Sequence, residues 1–255
     1  MKSLITSFIV FIVFLNFQAE AQNFSEHEFS LSAGIFQLRS DYGVNNDSET
    51  NFGNQGASIS VSYYYNPAYL RRKSYFFEHF KYRFNLMFSS VDLQHFGPYA
   101  SDPRIEAMTG SYSNFSINNG LEYYPFKGNR KKRYAKNNFF DKISPYAGFG
   151  LGVNFINTTA QSSLNGGLSD TNNIFPTFFS DNPEQGIVTG SDIFFNLNLR
   201  VGLRVILNMK NQILIESNWM LFSSDIIDGL NPVGPQNQNS DWAWGINLGY
   251  SYLLF

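Results

Sequence analysis

Apolar and small or polar residues change places at every second position in eight separate stretches of this chain. The last stretch, Trp242 to Phe255, reads WAWGINLGYSYLLF, with Ile246, Leu248, Tyr250, Tyr252 and Leu254 on one face and Asn247, Gly249 and Ser251 on the other. Seven earlier stretches repeat it, at about Glu28 to Leu38, Gly56 to Asn66, His79 to Val91, Tyr112 to Tyr124, Ser144 to Asn157, Phe194 to Leu207 and Gln212 to Ser224. In the third, Phe80, Tyr82, Phe84, Leu86 and Phe88 oppose Lys81, Arg83, Asn85, Met87 and Ser89; in the fifth, Ala147, Phe149, Leu151, Val153 and Phe155 oppose Gly148, Gly150, Gly152 and Asn154. A period of two over such lengths predicts strands, each about as long as a tilted membrane-spanning strand requires.

An even number of strands can close on itself and leave no edge in a membrane. A soluble sandwich or lipocalin-like barrel packs its apolar face inward and sends its charges to water. The polar faces of this chain are instead rich in Gly, Ser and Asn, and their charges are of both signs: Lys81, Arg83, Arg200 and Arg204 with Glu28, Glu122 and Glu216. Those seven residues are expected to form a paired network inside a barrel wide enough for side chains but too narrow for an aqueous pore. The expected fold is therefore all-β: an eight-stranded antiparallel transmembrane barrel with long outer loops, in a Gram-negative outer membrane and surrounded by its lipid.

Both termini of such a barrel lie in the periplasm. The outward connections are then Arg39 to Asn54, Asp92 to Ser111, Thr158 to Asp192 and Asp225 to Asp241, rich in the Asn, Ser, Gly and Asp of solvated loops. The inward connections, Pro67 to Glu78, Pro125 to Lys142 and Asn208 to Gln212, hold Arg71, Arg72, Lys73, Lys127, Arg130, Lys131, Lys132, Arg133, Lys136, Lys142 and Lys210, 11 of the 18 basic residues. The turn PFKGNRKKRYAKNNFFDK concentrates them. Its cations suit either anionic headgroups or an acidic periplasmic protein, and in the second case Lys127, Arg130, Lys131, Lys132, Arg133 and Lys136 would dock the partner with Phe126, Tyr134, Phe139 and Phe140 as anchors.

Composition narrows the remaining choices. Charged residues make up 15% of the chain and aromatic ones 18%, with 27 Phe and 15 Tyr, a balance that suits strands and interfacial girdles. A net charge of -2 and a periplasmic address for the basic turn argue against nucleic acid. Cysteine is absent, so neither disulfides nor thiolate metal sites are available. Lys2, the apolar run Leu4 to Phe14 and the Ala19-Glu20-Ala21 site form a secretory signal peptide over 1–21, leaving 22–255 as one barrel domain. His27, His79 and His95 show no spacing that joins two of them to a metal, and no cofactor is expected. His95 beside Asp92 is the one pair that suggests lipid-cleaving chemistry at the outer rim, and a solvated loop histidine is the commoner meaning.

The AEAQ end of the signal peptide, the His27-Glu28-Phe29 opening of the first strand, SPYAGFGLGV, LRVGLRVIL, ILIESNWMLFSSDIIDGL and the terminal DWAWGINLGYSYLLF resemble small outer-membrane barrels of the Bacteroidota. Within that group the chain is similar to the PorG-like component of the type IX secretion system. The resemblance covers most of the mature chain in order and spacing. It implies a non-enzymatic outer-membrane element associated with the periplasmic PorK and PorN ring, with no catalytic motif. The long third outer loop and the expanded basic turn depart from that pattern, so an adhesive or ligand-binding barrel acting through its outer loops stands as the alternative, and a lipid-modifying enzyme as a distant third.

Overall fold

The computed structural model describes residues 26–39, 42, 53–66, 75–95, 102–126, 139–174, 186–231 and 241–254. Eight strands follow in chain order: β1 Glu26–Arg39, β2 Gln55–Asn66, β3 Phe80–Gln94, β4 Met108–Tyr123, β5 Ile143–Ser162, β6 Gly190–Ile206, β7 Asn211–Phe222 and β8 Trp242–Leu253. Each pairs antiparallel with its neighbours in sequence, and β8 pairs with β1 to close the barrel. Closure gives every interior ladder a partner, which a membrane demands because lipid offers no hydrogen bonds.

The faces divide as the alternation predicts. Leu151 is 70% exposed and Leu248 62%, whereas the inward Asn118 and Glu122 are both at 0%. Leaving a Leu, Ile or Phe in water forgoes about 1.5–3 kcal/mol each, so a belt of them running round the whole barrel has lipid as its solvent. At one level the belt ends in a cross-strand row of Phe88, Phe115 and Phe155. Towards the chain termini it ends near Tyr82, Tyr250 and Tyr252, all exposed.

At the loop end four strands run well past the sequence reading, whereas β7 stops at Phe222, short of the Ser224 read from sequence. β3 continues to Gln94, β4 begins at Met108, and β5 and β6 reach Ser162 and Gly190, so β5 is 20 residues long where about 9–11 would span a bilayer. On β3, β4 and β5 the extra outward residues are Asp92, Gln94, Thr109, Ser111, Thr159 and Gln161, which keep the ladder but end the apolar outward face, while Leu93 and Met108 continue the buried inward one. The two outer connections read as Asp92 to Ser111 and Thr158 to Asp192 are correspondingly shorter. The first also contains a one-turn helix, α2 Pro103–Glu106, started by the Asp102 carboxylate accepting from the Arg104 amide at 2.9 Å. At the terminal end, a short helix, α1 Tyr75–His79, places His79 before β3 rather than in it. The Asn208 to Lys210 turn is tied by Asn208 Oδ1, which accepts from the amides of Lys210 at 2.9 Å and Asn211 at 2.8 Å.

Candidate functional site in the barrel lumen and at its two ends

Glu28, Lys81, Arg83, Glu122, Arg200, Arg204 and Glu216 all take inward positions near the terminal end of β1, β3, β4, β6 and β7. Glu122 accepts from Arg83 Nη1 at 3.0 Å and from Arg204 Nη2 at 3.1 Å. Glu28 accepts from Lys81 Nζ at 3.0 Å and is also bonded by Arg204 Nη1 and the Ser251 hydroxyl. Glu216 takes both terminal nitrogens of Arg83, Nη2 at 3.2 Å and Nη1 closer still, and the Tyr146 hydroxyl at 2.7 Å. Six of the seven residues thus form one chain of ion pairs.

Arg200 stands apart. It is 2% exposed, and its terminal guanidinium nitrogens have no hydrogen-bond acceptor among the described residues. It lies on the same strand face as Arg204, two inward positions deeper past Gly202, opposite Gly148 and Asn218.

Tyrosines complete the cluster, and the sequence reading passed over their part in it. The Tyr124 hydroxyl donates to Glu122 Oε2 at 2.5 Å, and the Arg204 guanidinium lies 4.3 Å from the Tyr64 ring centroid and 5.3 Å from that of Tyr146. Tyr64 and Tyr146 fall on inward parity, which was the available signal. Space for these groups comes from β5, where a side chain on Gly148 would press the Glu122 Cγ at 3.2 Å and one on Gly152 would overlap the amide oxygens of Asn118 and Asn196.

Above the ion pairs the lumen changes character twice. A middle layer is amide and hydroxyl: Ser58 donates to Asn247 at 2.8 Å, Asn247 to Asn218 at 3.1 Å, and Asn114 to Asn154 at 3.2 Å. The loop end is apolar. Phe36, Leu38, Val91, Leu93, Tyr112 and Phe222 fill it, with Tyr42, Ile227 and Leu230 folded in from the connections. Two connections zip together over this plug: Ile187 bridges Leu230, Val188 donates to Gly229 at 2.9 Å and Asn231 to Gly186 at 2.8 Å. Gly229 holds φ at +88°, a value that disfavours a side chain. The segment Asp225 to Asp241, read from sequence as solvated, therefore buries Ile227 and Leu230; the apolar triplet Ile226, Ile227 and Leu230 was the signal.

His95 and Asp92 do not form a pair. Asp92 faces outward from β3 and is exposed, while the His95 ring lies against the buried Tyr42 ring, tilted 33° at a centroid distance of 4.9 Å. Burial pushes the His95 imidazole down to about 4 and, beside Asp228, pushes the Tyr42 phenol up. His27 Nδ1 meets the Tyr63 hydroxyl at 2.7 Å and His79 Nδ1 the Tyr124 carbonyl at 2.6 Å. Among the described residues, no group of three or more His, Asp or Glu is placed to hold a metal ion.

Of the docking candidates, Phe140 is 76% exposed on a 3-10 turn, Phe139–Lys142, beside the terminal rim, and Phe126 is 58% exposed just past β4. Lys127, Arg130, Lys131, Lys132, Arg133 and Lys136 lie outside the described residues, as do Tyr134, the Phe139 side chain and the proposed signal peptide.

A closed barrel with a lipid-facing apolar belt and its charges inside is a transmembrane barrel of the outer-membrane type. Among solved structures it is similar to neisserial surface protein A, with 12% identity, 89% of this chain and 96% of that one covered, and a TM-score of 0.45. It is similar also to a major outer membrane protein of Thermus thermophilus (12% identity, 89% and 99% covered, TM-score 0.43). A third is Ail, the attachment invasion locus protein of Yersinia pestis, solved in complex with the heparin analogue sucrose octasulfate (11% identity, 90% and 99% covered, TM-score 0.41). The likeness is one of fold. No protein-family model matches the chain, and no curated protein sequence matches it.

Proposed function

We propose that this chain is a non-enzymatic outer-membrane barrel serving as a structural anchor of a secretion assembly, PorG-like within the type IX machinery. In this reading both termini lie in the periplasm and the terminal face docks an acidic periplasmic protein. The observation that carries it is the placement of charge: 11 of the 18 basic residues fall in the three terminal-end connections, against Arg39 and Arg104 at the loop end. Exposed Tyr75, Phe76, Phe126 and Phe140 on the same rim, next in sequence to those cations, supply apolar anchors. A lumen filled by ion pairs at one end and an apolar plug at the other supports a scaffold rather than a conduit.

The test is affinity purification from detergent-solubilised membranes with identification of co-purifying proteins. Recovery of a periplasmic ring with acidic surfaces supports the anchor; recovery of the barrel with lipid alone counts against it. A second reading, a barrel that binds through its loop end, is favoured by the extension of β3 to β5 beyond the Phe88–Phe115–Phe155 row.

A further inference from the structure

Above the aromatic row Phe88–Phe115–Phe155, the outward face of the wall becomes polar in successive cross-strand rows. Ser90, Ser113 and Asn157 form the first, Asp92, Ser111 and Thr159 the second, and Gln94, Thr109 and Gln161 the third. The upper two rows, joined by Gln55 of β2, line a groove of about 430 Å³ on the outer flank of the barrel. It crosses four strands, about 14 Å at the usual strand spacing. Its lower row stands four residues beyond the phenylalanines, about 13 Å along the strand and roughly 10 Å in height at the usual tilt. That level is at or just above lipid headgroups and out of reach of acyl chains.

The chemistry of the groove is uniform. Among the described residues it offers amides, hydroxyls and one carboxylate, Asp92, and no cation. Ser111 and Thr159 are joined hydroxyl to hydroxyl at 2.7 Å, which leaves one O–H and the remaining lone pairs of the two to meet a ligand. Such a set matches sugar hydroxyls, which both donate and accept, and Asp92 repels phosphate. Among the described residues no aromatic ring lines the groove to stack on a sugar face, so their affinity for a free glycan is weak. A sugar tethered in the same leaflet arrives at high effective concentration and needs little intrinsic affinity.

We infer that this groove binds the saccharide of a glycolipid in the leaflet around the loop end. The inference is independent of the docking reading but rests on the loop end facing the cell exterior. It is tested by native mass spectrometry of the barrel in nanodiscs holding the bacterium's own lipooligosaccharide, its sugar-free lipid A, or phospholipid alone. Lipooligosaccharide should be retained over lipid A, and Asp92→Ala/Gln94→Ala should lower its retention about tenfold, as expected for losing two hydrogen-bonding groups. Heat-modifiable migration checks that the variant is folded; if it is not, Gln161→Arg blocks the same groove from β5. Equal retention of lipooligosaccharide and lipid A, or unchanged retention by the folded variants, overturns the inference. Because the chain has no cysteine, a single Gln161→Cys on intact cells reports orientation with an impermeant maleimide. A labelled thiol without sugar-dependent retention sinks the groove alone; an unlabelled thiol sinks the orientation and the groove with it.

Discussion

Arg204 on β6 reaches past β5 to Glu122 on β4, Nη2 to Oε2 3.1 Å, across 82 residues of sequence. The intervening strand permits this because Gly148, the residue paired with Glu122, presents no side chain to the lumen. Glu122 also holds Arg83, so a single carboxylate joins cations from two non-adjacent strands.

Removing that carboxylate leaves two buried guanidinium groups short of a partner. Glu122→Ala is expected to cost about 3–5 kcal/mol of folding stability, the usual penalty for breaking a buried pair by one side. Glu106→Ala, on the exposed short helix of an outer connection, is expected to cost under about 0.5 kcal/mol. Urea unfolding in lipid vesicles compares them, and equal midpoints would show that the ion-pair chain contributes nothing to folding.

Acid should destabilise the loop end through His95. Its folded pKa is about 4 and its unfolded value near 6.5, so the folded state resists a proton that the unfolded state accepts. The stability this neutral imidazole permits is fully present above about pH 6.5 and is lost as pH falls towards 4, by about 3 kcal/mol in total. His95→Gln should remove that slope while leaving carboxylate-dependent loss at lower pH. An identical pH profile for the variant between pH 6.5 and 4 would refute the assignment.

Conductance should be negligible. Eight strands enclose a lumen that side chains can fill, and here the two ends are closed by different chemistry. Ile227→Ala/Leu230→Ala thins the apolar plug at a cost of about 2–5 kcal/mol per site, yet the ion pairs still close the terminal end. Planar-bilayer recordings of both proteins should stay at baseline. Stable current steps from the parent protein would show an open path through the lumen.

How far the sequence was legible follows the same residues. Alternation placed Leu151 outward and Glu122 inward, because lipid and lumen impose opposite chemistry on alternate positions. It does not measure depth along a strand. Phe36 and Leu38 continue the inward parity of Ser30 and Ser32, but only the structure shows that the lumen turns apolar at that level. Ser111 and Thr159 belong to strands whose outward face has risen out of lipid, so hydrophobic periodicity ended before the hydrogen-bonded ladder did. The charged set was visible as types on one parity. Which acid meets which base depends on barrel closure and on side-chain length across Gly148, and pairwise sequence spacing encodes neither.

The turn from Pro125 to Lys142 carries seven basic residues (Lys127, Arg130, Lys131, Lys132, Arg133, Lys136 and Lys142) against one acid, Asp141. An exposed ion pair contributes about 1 kcal/mol or less and is screened over roughly 8–10 Å at physiological salt, so one lysine alone would matter little. Several cations acting with aromatic anchors can give specific capture. Reversing Arg130, Lys131, Lys132 and Arg133 to Glu is therefore expected to abolish recovery of a periplasmic partner while the barrel stays folded and heat-modifiable. Phe139→Ser/Phe140→Ser should weaken recovery with little change in its salt dependence, because the groups removed are uncharged. Pull-downs across a salt series separate the two contributions. If the four-charge reversal inserts normally and recovers the same proteins at the same yield, the turn is a solvated or lipid-facing segment, and the anchor reading loses its main support.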